Sequence, residues 1–274
     1  MERMMNIKVK KALLLFIFGV VFYIVFNYLP IKFWIEKGIE DAVISEYIWI
    51  TVKLVFYSGL CIPLLLLKKK AGIDIEKPFK EAPFYFLIPL LIPNVGNFLA
   101  VYFIDPAVRS SLHYGILVYD LITDFFTSVY EDVVFVDLGI FLLTELLKEN
   151  GFRRLLAVLI AGLFFTAVHS YSYLYEDLAL ALFQQFYVFL LTLECGYLAI
   201  YYDSALIPIV AHYLFNALNH VAFGFFFVHD GSLIGPDYLI FTGVIALFAV
   251  GYTILLWNYS NLINKEALEQ RKGK

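Results

Sequence analysis

The chain has 274 residues, 62% of them hydrophobic and only 16% charged, with a formal net charge of −4 and a mean hydropathy of +0.80. So few charges cannot coat a soluble domain of this size, and there is no basic excess to hold a nucleic acid. Two cysteines, Cys61 and Cys195, sit in apolar stretches and fit neither a disulfide framework nor a metal-binding spacing.

Apolar stretches of membrane-spanning length recur along the chain, which predicts an all-α, polytopic transmembrane helix bundle forming a single membrane domain over residues 1–274. About eight spans are expected, near residues 12–34, 46–67, 83–104, 114–147, 155–170, 178–202, 204–226 and 238–262. The first follows Lys8, Lys10 and Lys11 but is too long for a signal peptide and lacks a small-residue cleavage site. Basic residues set the orientation. Sixteen of the 20 Lys and Arg fall in the N-terminus, the second and fourth loops and the C-terminal tail. Three (Lys32, Lys37, Arg109) fall on the opposite side, and Lys53 alone lies inside a span. Both termini are therefore expected in the cytoplasm, with the loop lysines of KKKAGIDIEKPFKE meeting lipid head groups.

The fourth span is unusual and long enough to be tilted or broken. It reads VYDLITDFFTSVYEDVVFVDLGIFLLTE from Val118 to Glu145, with Asp120, Asp124, Glu131, Asp132 and Asp137 and no basic residue. A carboxylate at the bilayer centre costs roughly 2.5–3.5 kcal/mol, and each Leu, Ile, Phe or Val returns about 0.3–0.6 kcal/mol. Five central carboxylates roughly cancel or exceed that gain, so they do not all face lipid. Asp120, Asp124 and Glu131, with Thr127 and Ser128, share one stripe at helical spacing, which predicts a wet interior.

Two further polar clusters follow. Phe165-Thr166-Ala167-Val168-His169 ends the fifth span, and His212-Tyr213-Leu214-Phe215-Asn216 lies in the seventh. Each pairs residues four apart on one helix face. Singly, a membrane histidine is as often a packing residue as a functional one, and an asparagine commonly bonds a neighbouring helix. Counting the helical rise from the cytoplasmic ends places Glu131 and His169 at about 20–25 Å depth, His212 at about 12 Å and Asn216 at about 18 Å. Glu194, in the sixth span, falls at a depth similar to His212 and is a candidate to fix its tautomer. Gln184 and Gln185 read as interhelical hydrogen bonders, and Tyr171, Tyr173 and Tyr175 as an interfacial aromatic belt.

An acidic pair, then FxxxH, then HxxxN, in an eight-span chain, resembles the CPBP family of intramembrane proteases. That family includes type II CAAX prenyl endopeptidases and bacterial Abi proteins. The resemblance covers about residues 125–220 and is most typical at SALIPIVAHYLFNAL, giving a protease-like core of about 114–226. The family's first motif usually reads EExxxR. Here Glu131 matches, the second acid is Asp132, and Val136 stands at the arginine position.

The resemblance implies an endopeptidase that cleaves a membrane-bound peptide or protein, with or without a lipid. Glu131 would be the general base that activates water, and His169 would position that water or shuttle its proton. His212 and Asn216 would donate to the developing oxyanion, with Asp132 and Phe165 in support. With no arginine to organise, Asp132 is expected to matter least. No cofactor is required, although Glu131, His169 and His212 are also the right types for a three-ligand zinc site. Two other readings stand beside this one. One is a non-catalytic immunity or scaffold relative, favoured by Asp132 and Val136. The other is a small transporter using the acidic stripe, disfavoured by the lack of paired halves. The expected partners are membrane lipids and the peptide substrate, in a prokaryotic plasma membrane.

Overall fold

The computed structural model describes residues 2–73, 114–147, 151–174, 178–202 and 205–224. The third and eighth expected spans, 83–104 and 238–262, lie outside the described residues. Among the described residues the structure is entirely helical, with no strand. Three helical stretches there are long and apolar enough to cross a membrane: Ile7–Gly38, Ala42–Lys70 and Leu156–Leu174. The shorter apolar helix Leu206–Ala217 joins them.

Helix α1 runs Glu2–Tyr28 and breaks where Pro30 offers no backbone N–H; a short α2, Ile31–Gly38, follows. The continuous first span expected over 12–34 is thus two helices. Helix α3, Ala42–Lys70, is capped at both ends. The Asp41 carboxylate accepts from the backbone N–H groups of Val43 and Ile44 at 2.9 and 3.0 Å. At the other end Gly72, at φ +67°, lets the Gly72 and Ile73 N–H groups donate back to the Lys69 and Lys68 carbonyls. The cap buries Ala71 and Ile73 and so folds the end of α3 into the bundle.

The acid-rich span is broken by a change of helix type. It comprises α4 (Tyr114–Glu131), a π-helical stretch (Asp132–Leu138) and α5 (Gly139–Leu147). A π-helix closes i→i+5 rings, so consecutive side chains splay less, and such turns recur at functional sites. The π-stretch starts directly after Glu131 and contains Asp132. Helix α6 (Gly151–Val168) leads into a 3-10 turn (His169–Leu174), followed by α7 (Leu178–Tyr202) and α8 (Leu206–Gly224).

The π-stretch is the centre of the bundle, touched by α1, α6, α7 and α8, while α4 lies between α3 and α8. Val133, Val134, Phe135, Val136 and Leu138 are all buried there. Gly19 sets the approach of α1, because a Cβ at that position would collide with the Val134 side chain. The residues that face outward, such as Leu14, Val55, Leu66 and Leu163, are large and apolar, as lipid-facing positions require.

Candidate active site

The polar stripe of α4 turns inward from Asp124 onward, while Asp120 at its start is only partly buried. Thr123, Asp124, Thr127, Ser128, Glu131 and Asp132 are all buried. The Thr123 and Thr127 hydroxyls donate back to the carbonyls of Tyr119 and Thr123, so they add no unpaired donor to the interior.

Glu131 sits between two imidazoles. Its Oε1 lies 3.9 Å from His169 Nε2, and its Oε2 lies 3.6 Å from His212 Nε2. Both gaps exceed a direct hydrogen bond. All three residues are buried. His212 is anchored from behind, its Nδ1–H donating to Asp132 Oδ1 at 3.1 Å. One turn along α8, the Asn216 amide donates to Ser128 Oγ at 3.4 Å. Glu131, His169, His212 and Asn216 thus meet in one place, although they come from three separate spans. Rise counting put His212 some 10 Å shallower than Glu131. Helices differ in tilt and in where they begin, so distance along one axis is not a depth shared with another.

His169 lies one residue beyond α6, at the head of the 3-10 turn. Its Nδ1 is 2.9 Å from the Phe165 carbonyl, four residues back. A carbonyl only accepts, so Nδ1 carries the proton and Nε2 of the neutral ring is the acceptor. The Phe165 ring meets the imidazole edge-on, with centroids 4.3 Å apart and planes at 88°, and holds it in place. Tyr23 of α1 fills the remaining valence. Its hydroxyl donates to His169 Nε2 at 2.8 Å.

Three sequence-based assignments change. Asp132 has a partner capable of carrying positive charge, the His212 ring, so the expectation that it matters least loses its ground. The tautomer-fixing role considered for Glu194 falls to Asp132; Glu194 is buried in α7 with Oε1 unpartnered. Lys68, assigned to a cytoplasmic loop, is a buried residue of α3 in an ion pair with Asp137 of the π-stretch. Lys68 is therefore a basic residue that reaches the acid-rich span. Tyr171, expected in the aromatic belt, also reaches inward: its half-buried ring lies 5.7 Å from that of His169 and 6.4 Å from that of Tyr23. Gln185 does bond across elements, to Ser172 Oγ at 3.4 Å. Cys61 and Cys195 are buried free thiols.

Tyr23 is the site contact that sequence reasoning missed. With 20 tyrosines in the chain, nothing in its local sequence, VVFYIVFNY, sets it apart. It also bears on whether zinc fits. The nitrogen with which His169 would bind a metal already accepts the Tyr23 hydroxyl, and Nδ1 is bound to a carbonyl. Among the described residues no group of three or more His, Cys, Asp or Glu side chains takes metal-binding geometry. The residues therefore fit a zinc ion poorly as they stand.

Comparison with known proteins bears on the same segment. The family model described as Type II CAAX prenyl endopeptidase Rce1-like matches residues 113–218, from the start of α4 to Asn216 and just beyond. No curated protein and no solved structure matches the chain. A buried glutamate between two histidines, an asparagine one turn from the second, apolar helices of spanning length and this match agree. Over residues 113–218 this integral membrane protein is similar to the type II CAAX prenyl endopeptidases, which supports a place among the CPBP intramembrane proteases.

Proposed function

We propose that the chain is an intramembrane endopeptidase that hydrolyses a membrane-associated, lipid-modified peptide with water activated by Glu131. One observation carries this reading. The Glu131 carboxylate is held, buried, 3.9 Å from His169 Nε2 and 3.6 Å from His212 Nε2, beyond a direct hydrogen bond to either ring, which leaves it able to take a water.

Glu131 takes a proton from that water as its oxygen attacks the peptide carbonyl. The tetrahedral oxyanion forms beside α8. There the His212 imidazolium, bonded at Nδ1 to Asp132, donates from Nε2, and Asn216 donates from its amide, which has a second N–H beyond the one on Ser128. Glu131 then passes its proton to the leaving amine, and the carbonyl closes to the new carboxyl group. His169 completes the water site from the other side. No Ser or Cys nucleophile and no metal is needed.

The fuller topology belongs to the same proposal. The whole chain is one membrane domain of eight spans, with both termini in the cytoplasm of a prokaryotic cell. Cysteine labelling at Lys70 and Asp230 reads this directly; reaction of both from the same side sinks the eight-span arrangement.

A second reading rests on Val136, which replaces the arginine of the family motif. Loss of that cation is what a relative that keeps the fold but not the activity would show. Purified protein in liposomes, given a fluorogenic farnesylated CAAX-type peptide, decides between them. Cleavage abolished by Glu131→Gln supports the protease. A cellular phenotype that survives Glu131→Gln, with no cleavage by the unsubstituted chain, supports the non-catalytic relative.

A further inference from the structure

We propose that Tyr23 is a positioning residue of this site. Its hydroxyl is the group through which His169 holds the nucleophilic water, so the N-terminal helix completes a site that residues 113–218 leave open. The inference rests on the protease reading above.

Both nitrogens of His169 are committed. Nδ1–H donates to the Phe165 carbonyl at 2.9 Å, and Nε2 accepts from Tyr23 Oη at 2.8 Å. A neutral imidazole has one donor and one acceptor, so the ring has no lone pair left for a water. The Tyr23 hydroxyl also interacts with the Glu131 carboxylate and with the Tyr171 hydroxyl, and an oxygen with two lone pairs that accepts one hydrogen bond can still accept another. A water whose first proton faces Glu131 can direct its second to Tyr23 Oη, and Tyr23 in turn donates to His169. No proton crosses to the histidine; the chain of hydrogen bonds fixes the water's orientation.

The protein holds Tyr23 firmly enough for this task. The residue is fully buried. Its ring packs edge-on against Phe135 at 5.1 Å and lies 5.5 Å from the His169 ring. One helical turn earlier, Gly19 brings α1 against Val134, and the Gly19 carbonyl accepts from the Tyr130 hydroxyl at 2.7 Å. Tyr130 directly precedes Glu131. The hydroxyl of Tyr23 and the carboxylate of Glu131 are therefore fixed to each other through two adjacent anchors.

Two measurements on the full chain in bilayers test the idea. The first does not depend on cleavage. With 15N-histidine label, solid-state NMR of the protein's five histidines, with His169→Gln to assign its signal, reads Nε2. Tyr23→Phe removes one oxygen and keeps the ring, and should shift the His169 Nε2 resonance toward that of an acceptor with no donor. A 3,5-difluorotyrosine at position 23, a stronger donor that preserves packing, should shift it the other way. A resonance indifferent to both overturns the contact.

The second measurement is kinetic and uses the farnesylated CAAX-type peptide. Tyr23→Phe should lower kcat about 10–100-fold with KM within about threefold. The double variant Tyr23→Phe/His169→Gln should be no slower than His169→Gln alone, because the two residues act as one unit. Additive losses, or an effect confined to KM, overturn the positioning role even if the NMR contact stands. Absence of cleavage by the unsubstituted chain overturns the protease reading and the water-holding role with it, while the NMR result still decides whether the Tyr23–His169 bond exists.

Discussion

His169 and His212 flank the same carboxylate, yet their remaining contacts differ in kind. His169 is bonded to two uncharged groups, the Phe165 carbonyl and the Tyr23 hydroxyl. His212 is bonded to one carboxylate at Nδ1 and faces a second from Nε2. A ring with neutral partners is suited to holding the Tyr23 hydroxyl in a fixed orientation. A ring between two anions is suited to donating from both nitrogens, which is what an oxyanion needs. The family motif supplies two histidines in the sequence, but their partners give them unlike tasks.

Substitutions can break or sharpen that contrast. The largest effect should come from Glu131→Gln, which keeps the shape between the rings but cannot take a proton from water. Peptide cleavage should fall to background while the protein elutes and melts as a folded species. Equal cleavage with Gln at 131 would falsify the glutamate mechanism.

Next comes Asp132→Asn, which turns the anionic partner of His212 into a neutral one. A loss of about 10²–10⁴-fold in kcat is expected, by analogy with aspartates that orient catalytic histidines. This reverses the small effect expected from sequence alone. A loss under about threefold would mean that His212 donates without help from Asp132.

Asn216→Ala removes one oxyanion donor and should slow kcat about 10²–10³-fold. The loss should appear in kcat rather than KM, since the donor matters most when charge develops.

Lys68→Met should act on stability before chemistry. It leaves the partly buried Asp137 without its lysine, at a cost of up to about 3 kcal/mol, and Lys68→Met/Asp137→Leu should recover most of that in thermal unfolding. Cleavage by whatever protein remains folded should change least among these variants. If Lys68→Met instead abolished cleavage in fully folded protein, Lys68 would have taken over the duty of the family arginine. The smallest effect of all is expected from a chelator. Cleavage should survive extensive treatment, and zinc-dependent recovery of a lost activity would reinstate the metal reading of Glu131, His169 and His212.

The structural reasons for these contrasts were unevenly legible in the sequence. The inward turn of Asp124, Thr127, Ser128 and Glu131 followed from period and cost, because carboxylates are too expensive to leave in lipid. The ordering of an acidic pair, FxxxH and HxxxN named the residues that meet. Partner identity was not readable. Asp132 looked idle because its expected arginine was missing, when its partner lay 80 residues on. Lys68 looked like a loop residue because charge alone put it outside the span, when the glycine cap at Gly72 folds that end of α3 inward.

The sequence by itself determined that this chain is a membrane bundle of helices with one acid-rich interior helix and a protease-family core. Those properties depend on composition and on periodicity within a single helix, which are local. Only the tertiary structure decided that Tyr23 bonds His169, that Asp132 bonds His212 and that Lys68 reaches Asp137. Each joins helices that are distant in the chain, and the choice among many tyrosines, acids and lysines is made by how the helices tilt and pack. The close approach at Gly19, the π-helical turn after Glu131 and the cap at Gly72 set that packing, and hydrogen bonds form between the groups it brings within reach.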